Sequence, residues 1–358
     1  MATAKLLSNQ GHQIIGTYNT TTPESIPNVN FHQIDITQEN ISLDFVPEVI
    51  DGIIYCPGSI NLLPFARIKP QDFFQTIRLQ HWIKNTFVFL PMFFNKQFYS
   101  VDTIQLGVLA FISFSLVSSS VYCFNDIIDV DFDKNHFDKK NRPLARGAIT
   151  KALAKKIAIV FFFTGIALGY FFISKEFIFI LLLYFVLNIG YSLGLKKLVV
   201  LDVLMISFGF VLRVLAGGIA TETPLTYWII IMVLLLAIFL TLGKRRDEVL
   251  LFLDTNSLVR ENIKLYNIKV IDRSLYVIAT LVIVLYIVYS FSDNAIHNYG
   301  SSYIFVTAIF VIVGMIRYFN LILKRSNSAN PTKILWNDNL MQLIVLGWIL
   351  CFGFFIYF

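Results

Sequence analysis

From residue 85 to its end, the chain is a succession of long apolar stretches separated by short polar ones. The hydrocarbon core of a bilayer is about 30 Å thick, and an α-helix needs about 20 mostly apolar residues to cross it. With 56% hydrophobic residues and a mean hydropathy of +0.68, the sequence predicts an all-α integral membrane bundle of nine transmembrane helices rather than a soluble domain. The first predicted span is short and contains Pro91. The nine spans are predicted at 85–99, 104–124, 153–173, 177–194, 201–220, 225–243, 273–293, 303–323 and 340–358.

Lysine and arginine are concentrated in alternate loops of this pattern. They follow spans two, four, six and eight, whereas the loops after spans five and seven contain none. Basic loops of membrane proteins stay in the cytoplasm, so the pattern predicts a multi-pass protein of the inner (plasma) membrane with its carboxyl terminus outside. The net charge of +6 reflects this topology, and no nucleic-acid partner is predicted. The basic residues concerned are Lys134, Lys139, Lys140, Arg142, Arg146, Lys196, Lys197, Lys244, Arg245, Arg246, Lys324, Arg325 and Lys333.

Residues 1–75 differ in kind and predict a small partial α/β segment before the membrane domain of residues 76–358. A helix-like "ATAKLLSNQG" is followed by strand-like "HQIIGTYN", "VNFHQIDI" and "DGIIYCPGSI". The stretch resembles part of a short-chain dehydrogenase. The glycine-rich turn that would bind a pyrophosphate would fall before Ala2, and the catalytic residues would fall among the membrane spans, so we expect a non-catalytic segment. A docking module, or a dinucleotide site completed by another chain, remains an alternative.

The stretch "YCFNDIIDVDFDKNHFDKKNRPLARG", residues 122–147, places a cluster of carboxylates at the end of the second apolar span. On a helix with 100° per residue, Asn125, Asp129 and Asp133 lie at about 0°, 40° and 80°, and Asp126 lies at about 100°. Tyr122 falls on the same side. Carboxylates this close repel one another unless a cation neutralises them, and hard oxygen ligands favour Mg²⁺. The alternative is a solvated acidic loop.

Cations near this cluster predict a phosphorylated ligand. Magnesium held by a few carboxylates usually bridges to phosphate oxygens, and Lys or Arg completes the binding site. Arg213 lies within an apolar span, where it costs roughly 2.5 to 3.5 kcal/mol on insertion scales, so it is a candidate functional residue. Asp202 lies eleven residues earlier on the same helix face and is predicted to line the same cavity. The alternative for Arg213 is a structural ion pair. The other candidate cations are Lys84, Lys139, Arg142, Lys196 and Lys197.

Four motifs in order, covering about residues 76–358, resemble the UbiA prenyltransferase superfamily. "NDIIDVDFD" fits its Asn-Asp-x-x-Asp-x-x-x-Asp motif, and nine spans is the usual number in that superfamily. Together with "RLQHWIKN", "YSLGLKKLVVLD" and "GKRRDE", the motif looks most like the phosphoribosyltransferase branch that acts on decaprenyl phosphate. Prenyl-transferring members typically carry a second Asp-rich motif after span four, where this chain has Tyr191, Lys196, Lys197 and only Asp202.

The resemblance implies an Mg²⁺-dependent transfer of phosphoribosyl from 5-phosphoribosyl 1-diphosphate to a polyprenyl phosphate, in cell-envelope precursor synthesis on the cytoplasmic side. Asn125 and Asp129 would bind the metal, and Asp126, Asp129 and Asp133 are the expected catalytic carboxylates. Other enzymes of the superfamily transfer a prenyl group from a diphosphate to a quinone precursor or haem, and a transporter or lipid-binding protein also fits nine spans. The oligomeric state stays open, a homo-oligomer included. The expected substrate-binding residues are Lys84, Tyr122, Lys139, Arg142, Tyr191, Lys196, Lys197, Asp202 and Arg213.

Overall fold

The computed structural model describes residues 2–18, 23–34, 44–47, 69–134, 139–255, 262–323, 334 and 337–357. The chain forms two compact units, residues 1–61 and residues 62–358. In the first unit, helix α1 (Ala2–Asn9) precedes strands β1 (Ile14–Tyr18) and β2 (Val29–Gln33). The strands pair in parallel, with Ile14 opposite Val29. The predicted third strand, "DGIIYCPGSI", lies outside the described residues, and the likeness to a dehydrogenase stays a prediction.

The second unit is a bundle of α-helices joined by short 3₁₀ turns. Within the described residues, eight helical segments are long and apolar enough to cross a membrane, so the prediction of a mostly helical, multi-pass membrane protein is confirmed. Its helices are α2 (Pro70–Thr76), α3 (Leu90–Phe94), α4 (Val101–Lys134), α5 (Lys151–Phe172), α6 (Lys175–Leu193), α7 (Val199–Ala220), α8 (Tyr227–Thr255), α9 (Ile268–Ser290), α10 (Asp293–Tyr299), α11 (Ala308–Leu323) and α12 (Asn339–Tyr357). The 3₁₀ segments are Leu79–Phe89, Gln97–Tyr99, Lys139–Asn141, Leu195–Lys197, Ile263–Leu265 and Ser302–Thr307.

The predicted count of nine transmembrane helices is not confirmed, because the first predicted span is not a long α-helix. It consists of the 3₁₀ helix Leu79–Phe89 followed by the five-residue α3, which begins at Leu90 and Pro91. Proline lacks the N–H that an α-helix needs, and the preceding β-branched and aromatic residues have low helix propensity. A left-handed residue precedes the 3₁₀ helix and another follows α3, namely Arg78 with φ 51° and Lys96 with φ 59°.

Residues 78–97, called here the crossing segment, nevertheless run the length of the bundle. At one end Arg78 pairs with Asp126, near the carboxyl end of α4. At the other end Lys96 Nζ donates to the Tyr299 carbonyl at 3.3 Å, and Thr223 donates to Gln97. A 3₁₀ helix rises about 2.0 Å per residue, so a stretch too short to span as an α-helix covers more distance. We call the Asp126 end of the bundle, which carries the loop at residues 139–147, the basic end.

Helix packing relies on small residues and on hydroxyl groups, as expected where lipid provides no hydrophobic driving force between helices. Ser113 and Ser120 of α4 each donate at 2.7 Å to carbonyls of α5, those of Gly165 and Ala158. Gly217 of α7 permits the closest approach, because a Cβ added there would lie 1.9 Å from the carbonyl oxygen of Val88. The crossing segment is therefore packed directly against the backbone of α7.

Part of the predicted 1–75 segment, helix α2, packs with the membrane bundle. Helix α2 belongs to the second unit, where Arg146, in the loop after α4, forms an ion pair with Asp72. The sequence did not reveal this ion pair, because its two residues lie 74 positions apart in the chain. The role of the first unit stays a prediction.

Candidate active site

One cavity of about 890 Å³ runs through the bundle and has two chemically different regions. Among the described residues, the whole lining holds eight Lys and Arg residues but two carboxylates, Asp129 and Glu248, and the region at the basic end is called here the cationic end. The other region, the apolar limb, is lined by a stripe on α8 that includes Trp228, Met232 and Leu236, with residues of α11 and α12 opposite. The eight basic residues are Arg78, Lys84, Lys139, Arg142, Lys196, Lys197, Arg213 and Lys244.

Helix α4 presents Tyr122, Asn125 and Asp129 to the cationic end. These residues are three and four positions apart, which places them on one helix face. The Oδ1 atom of Asn125 accepts a hydrogen bond from Ser192, and Oδ1 of Asp129 lies 2.6 Å from Lys196 Nζ. Lys196 is fixed in turn by Asn262, whose amide donates to the Lys196 carbonyl at 2.6 Å. Both polar side chains of α4 are thus held by the carboxyl end of α6 and the turn after it.

Asp126 and Asp133 do not line the cavity, although the helix arithmetic groups them with Asn125 and Asp129. Asp126 is 4% exposed and pairs with Arg78 and with Arg142 at 3.1 Å. Asp133 is 2% exposed and pairs with Arg142 at 2.6 Å and with Lys139 at 3.9 Å. The described residues contain no group of three or more His, Cys, Asp or Glu arranged to hold a metal ion. The predicted four-residue cluster is therefore divided between the cavity and a set of ion pairs behind it.

These ion pairs determine where the cavity's cations point. Arg78, Lys139 and Arg142 line the cavity, and each has at least one of the two buried carboxylates as its partner. Arg78 also lies 4.8 Å from the centre of the Tyr122 ring, within the range of a cation–π interaction. Charged partners on rigid helices reduce the freedom of these long side chains, so the cations are held in position before a ligand binds.

Asp202 also lies away from the cavity, where the sequence predicts that it lines the wall. It is fully buried, with Arg245 Nε at 2.6 Å, and it accepts hydrogen bonds from the hydroxyls of Tyr191 and Tyr266. Arg245 in turn lies 2.5 Å from Glu248. Tyr191 and Glu248 both line the cavity. The buried Asp202 carboxylate therefore holds two wall residues on different helices, Tyr191 directly and Glu248 through Arg245.

Arg213 lies on the cavity wall deep in the bundle and is 4% exposed. Its guanidinium donates to Asn85 Oδ1 at 2.7 Å, to the Gly209 carbonyl at 2.6 Å and to the Tyr184 hydroxyl at 3.2 Å. Among the described residues, Arg213 has no carboxylate partner. The alternative of a structural ion pair therefore finds no support in the described part of the chain.

The remaining predicted residues, Lys84 and Lys197, line the cavity as well, and several further lining residues were not predicted. Lys244 and Glu248 belong to the quoted motif "GKRRDE", so a signal for them was present in the sequence. Arg78 and His81 lie at the start of the crossing segment and belong to the quoted motif "RLQHWIKN", so a signal for them was present as well. The additional polar residues of the wall include Arg78, His81, Tyr184, Asn188, Ser192, Lys244, Glu248 and Asn262.

The donor set that faces the cavity suits a magnesium ion bound jointly by protein and substrate. Mg²⁺ usually binds one or two protein carboxylates and takes its other ligands from water and phosphate oxygens. Asn125 and Asp129, one helical turn apart on the wall, supply two such oxygen donors beside several cations. Asp126 and Asp133 are engaged with arginine and do not belong to this set.

Comparison with known proteins gives related sequences and folds. The sequence pattern of the UbiA prenyltransferase family matches residues 87–356. A decaprenyl-phosphate phosphoribosyltransferase of Mycobacterium tuberculosis is 28% identical over 283 residues, which cover 78% of this chain and 92% of that protein. One of Mycolicibacterium smegmatis is 26% identical, over 79% and 92% of the two chains. The structure of a UbiA homologue from Archaeoglobus fulgidus bound to GPP and Mg²⁺ matches with a TM-score of 0.58 and 18% identity, over 80% of this chain and 99% of that one.

Proposed function

This chain belongs to the UbiA prenyltransferase family, and on that premise we propose that it transfers 5-phosphoribosyl from 5-phosphoribosyl 1-diphosphate to a decaprenyl-type polyprenyl phosphate, releasing diphosphate. The product would enter cell-envelope precursor synthesis. The main support is the cavity, in which a cationic end suited to several phosphate groups continues into an apolar limb suited to a lipid chain. The names of the related phosphoribosyltransferases support the same reaction.

In this reaction a phosphate oxygen of the lipid attacks the anomeric carbon of the ribose, and the bond from that carbon to the diphosphate breaks. The nucleophile is already an anion at neutral pH, so no general base is needed. The protein must bring together two anions that repel each other and stabilise the charge that develops on the leaving diphosphate. We assign three cations of the cationic end to binding the diphosphate, namely Lys139, Arg142 and Lys196. Tyr122 lines the cavity beside them.

We assign the metal-binding role to Asn125 and Asp129. Mg²⁺ bound there would neutralise charge on the leaving diphosphate and orient it. Asp126 and Asp133 would then act as positioning residues, because their contacts are with Arg78, Lys139 and Arg142. Asp202 would position Tyr191 and, through Arg245, Glu248.

The cationic end would face the cytoplasm, because the loop at residues 139–147 lies there and is rich in Lys and Arg. In a membrane-impermeant thiol-labelling experiment on intact cells, single cysteines at 139–146 should stay unlabelled, and one introduced near residue 300 should react. Labelling of the 139–146 loop from outside would overturn this orientation. The loop containing Lys324, Arg325 and Lys333 lies outside the described residues.

The reaction itself can be tested with purified protein in lipid nanodiscs, supplied with Mg²⁺, decaprenyl phosphate and ribose-labelled 5-phosphoribosyl diphosphate. Label should enter the lipid fraction, and one diphosphate should be released for each labelled lipid. A parallel reaction with a prenyl diphosphate and an aromatic quinone precursor tests the main competing enzyme activity. Prenylated product there, without labelled lipid in the first reaction, would reject the proposed function in favour of the competing one.

A further inference from the structure

Within the part of the chain that the structure describes, the groups that hold the positive charge of Arg213 deep in the bundle are all neutral. Asn85, the Gly209 carbonyl and Tyr184 accept its three hydrogen bonds. Its guanidinium carbon also lies 5.0 to 5.2 Å from the ring centres of Phe114, Tyr184 and Phe210. These contacts orient the fork of donors without neutralising its charge, and a charge in such surroundings favours an anionic ligand.

Lys84 adds a second cation to the same part of the wall. It is half-buried and adjacent in sequence to Asn85, which binds Arg213. Both cations line the same cavity, and within the described residues neither has a carboxylate partner. Two like charges that line one cavity repel unless an anion lies between them, so the pair lacks a counterion that a ligand would supply.

This pair lies well below the candidate metal-binding residues. Asn85 donates to Ser115 and Ser118 of α4, at 2.9 and 3.2 Å, which fixes its depth along that helix. Asn125 and Asp129 lie seven to fourteen residues further along α4, which is about 10 to 20 Å at 1.5 Å per residue. Within the described residues, the cavity lining therefore has cations beside the Asp129 carboxylate toward the basic end, and cations without a carboxylate partner deeper in the bundle.

We infer that Arg213 and Lys84 form a subsite for a phosphate monoester, separate from the site that Asn125 and Asp129 provide for a metal-bound diphosphate. A metal-bound diphosphate requires carboxylate or amide oxygens for the cation, whereas a bare phosphate monoester requires only positively charged donors. This inference rests on the proposed function. In that reaction two ligands carry a phosphate monoester: the acceptor lipid carries its own phosphate, and the sugar donor carries the 5-phosphate.

The experiment measures equilibrium binding, without turnover, to wild-type protein in nanodiscs and to the variants Arg213→Gln and Lys84→Gln. The ligands are decaprenyl phosphate, 5-phosphoribosyl diphosphate with Mg²⁺, and inorganic diphosphate with Mg²⁺. Losing a charged hydrogen-bond partner should weaken binding of one monoester-bearing ligand ~10- to 100-fold, while diphosphate binding changes less than about twofold. Arg317→Gln is the matched control, because Arg317 pairs with Asp338 and does not line the cavity.

The result identifies the ligand as well as the subsite. Weaker binding of decaprenyl phosphate assigns the subsite to the lipid, and weaker binding of the sugar donor with unchanged diphosphate binding assigns it to the 5-phosphate. An equal loss for inorganic diphosphate, or no loss for either monoester in Lys84→Gln, overturns the inference. If Arg213→Gln does not fold, Lys84→Gln still decides, since the described structure gives Lys84 no hydrogen bond to lose. The wild-type protein could also form no labelled lipid in the activity test while the variants still lose decaprenyl phosphate binding. That result would reject the proposed function and keep the subsite.

Discussion

The ammonium group of Lys196 lies 2.6 Å from Oδ1 of Asp129, between a turn after α6 and the face of α4. Both side chains are about one quarter exposed and line the cavity. The carboxylate proposed to bind a metal is thus already paired with a lysine, which neutralises it when no metal is bound. A divalent cation and a diphosphate arriving together would share these two groups, the cation taking the carboxylate and the diphosphate taking the ammonium.

Replacing Asp129 by Asn should lower turnover by about 100-fold or more, because the substitution removes the charged ligand that matters most as charge develops on the leaving diphosphate. Extra Mg²⁺ should restore only part of the rate. Asp131→Asn is the control on the same helix, since the Asp131 side chain is 78% exposed and pairs with Lys134 and Lys151. Steady-state kinetics over a range of Mg²⁺ concentrations measures both. Equal activity of the two variants would remove Asp129 from the site.

Asp126→Asn and Asp133→Asn should behave differently from Asp129→Asn. Each removes the charge of a buried carboxylate that pairs with a partly buried arginine, and breaking such a pair costs up to about 3 kcal/mol. We expect a higher KM for the sugar donor and a lower melting temperature, because Arg78 and Arg142 lose their fixed positions. Binding of Mn²⁺, followed by electron paramagnetic resonance, should be unchanged. A loss of Mn²⁺ binding as large as that in Asp129→Asn would make these residues metal ligands after all.

Hydropathy alone predicted eight of the spans because the period and length of apolar residues are local properties of the sequence. The crossing segment was predicted as a span but not as a 3₁₀ helix. Its form depends on close contact with α7 at Gly217, more than 120 residues away, and no local pattern encodes that contact. The path of this segment through the bundle became visible only from the contacts at its two ends.

The acidic motif shows the same limit at the level of the site. Helix periodicity correctly put Asn125, Asp126, Asp129 and Asp133 within one sector of α4, yet that sector meets two different environments. Arg78 approaches Asp126 from 48 residues earlier in the chain, and Arg142 approaches from the following loop. Asp202 was predicted on the cavity wall from its spacing to Arg213, but Arg245 of α8 pairs with it inside the bundle. Which carboxylate faces a ligand is decided by tertiary contacts.

The amino-terminal unit should be dispensable for transfer. A variant lacking residues 2–61 should keep most of its turnover, because the structure assigns those residues to a separate compact unit. A variant lacking residues 2–76 should be much less stable, since it also loses α2 and the Asp72–Arg146 pair. Turnover and thermal stability of both proteins in detergent test this. Loss of turnover in a correctly inserted 2–61 deletion would give the first unit a role.

Stability at low pH should depend on Asp338, which precedes α12. A hydrogen bond from Arg317 lowers the pKa of Asp338, and its carboxylate also accepts from the Met341 backbone N–H at 2.7 Å. A lowered folded-state pKa means that the contribution to stability is present above the unfolded value of about 3.9 and disappears as pH falls through the folded value. Melting temperatures of Asp338→Asn should therefore lie below wild type at pH 7 and converge with it below pH ~4. A pH-independent difference would rule out this linkage.

Gly217→Ala should displace the crossing segment and with it part of the site. The added Cβ would lie 1.9 Å from the Val88 carbonyl oxygen, and both positions are fixed by backbone that cannot rotate away. Overpacking of this kind costs about 1 to 3 kcal/mol, so the melting temperature should fall. Asn85 lies three residues before Val88 and accepts from Arg213, so turnover should fall further than stability loss explains. In the control Gly190→Ala, the nearest atom to the new Cβ is 3.4 Å away on the Leu195 side chain, and both properties should stay near wild type. Wild-type turnover and stability in Gly217→Ala would show that the segment can move without consequence for the site.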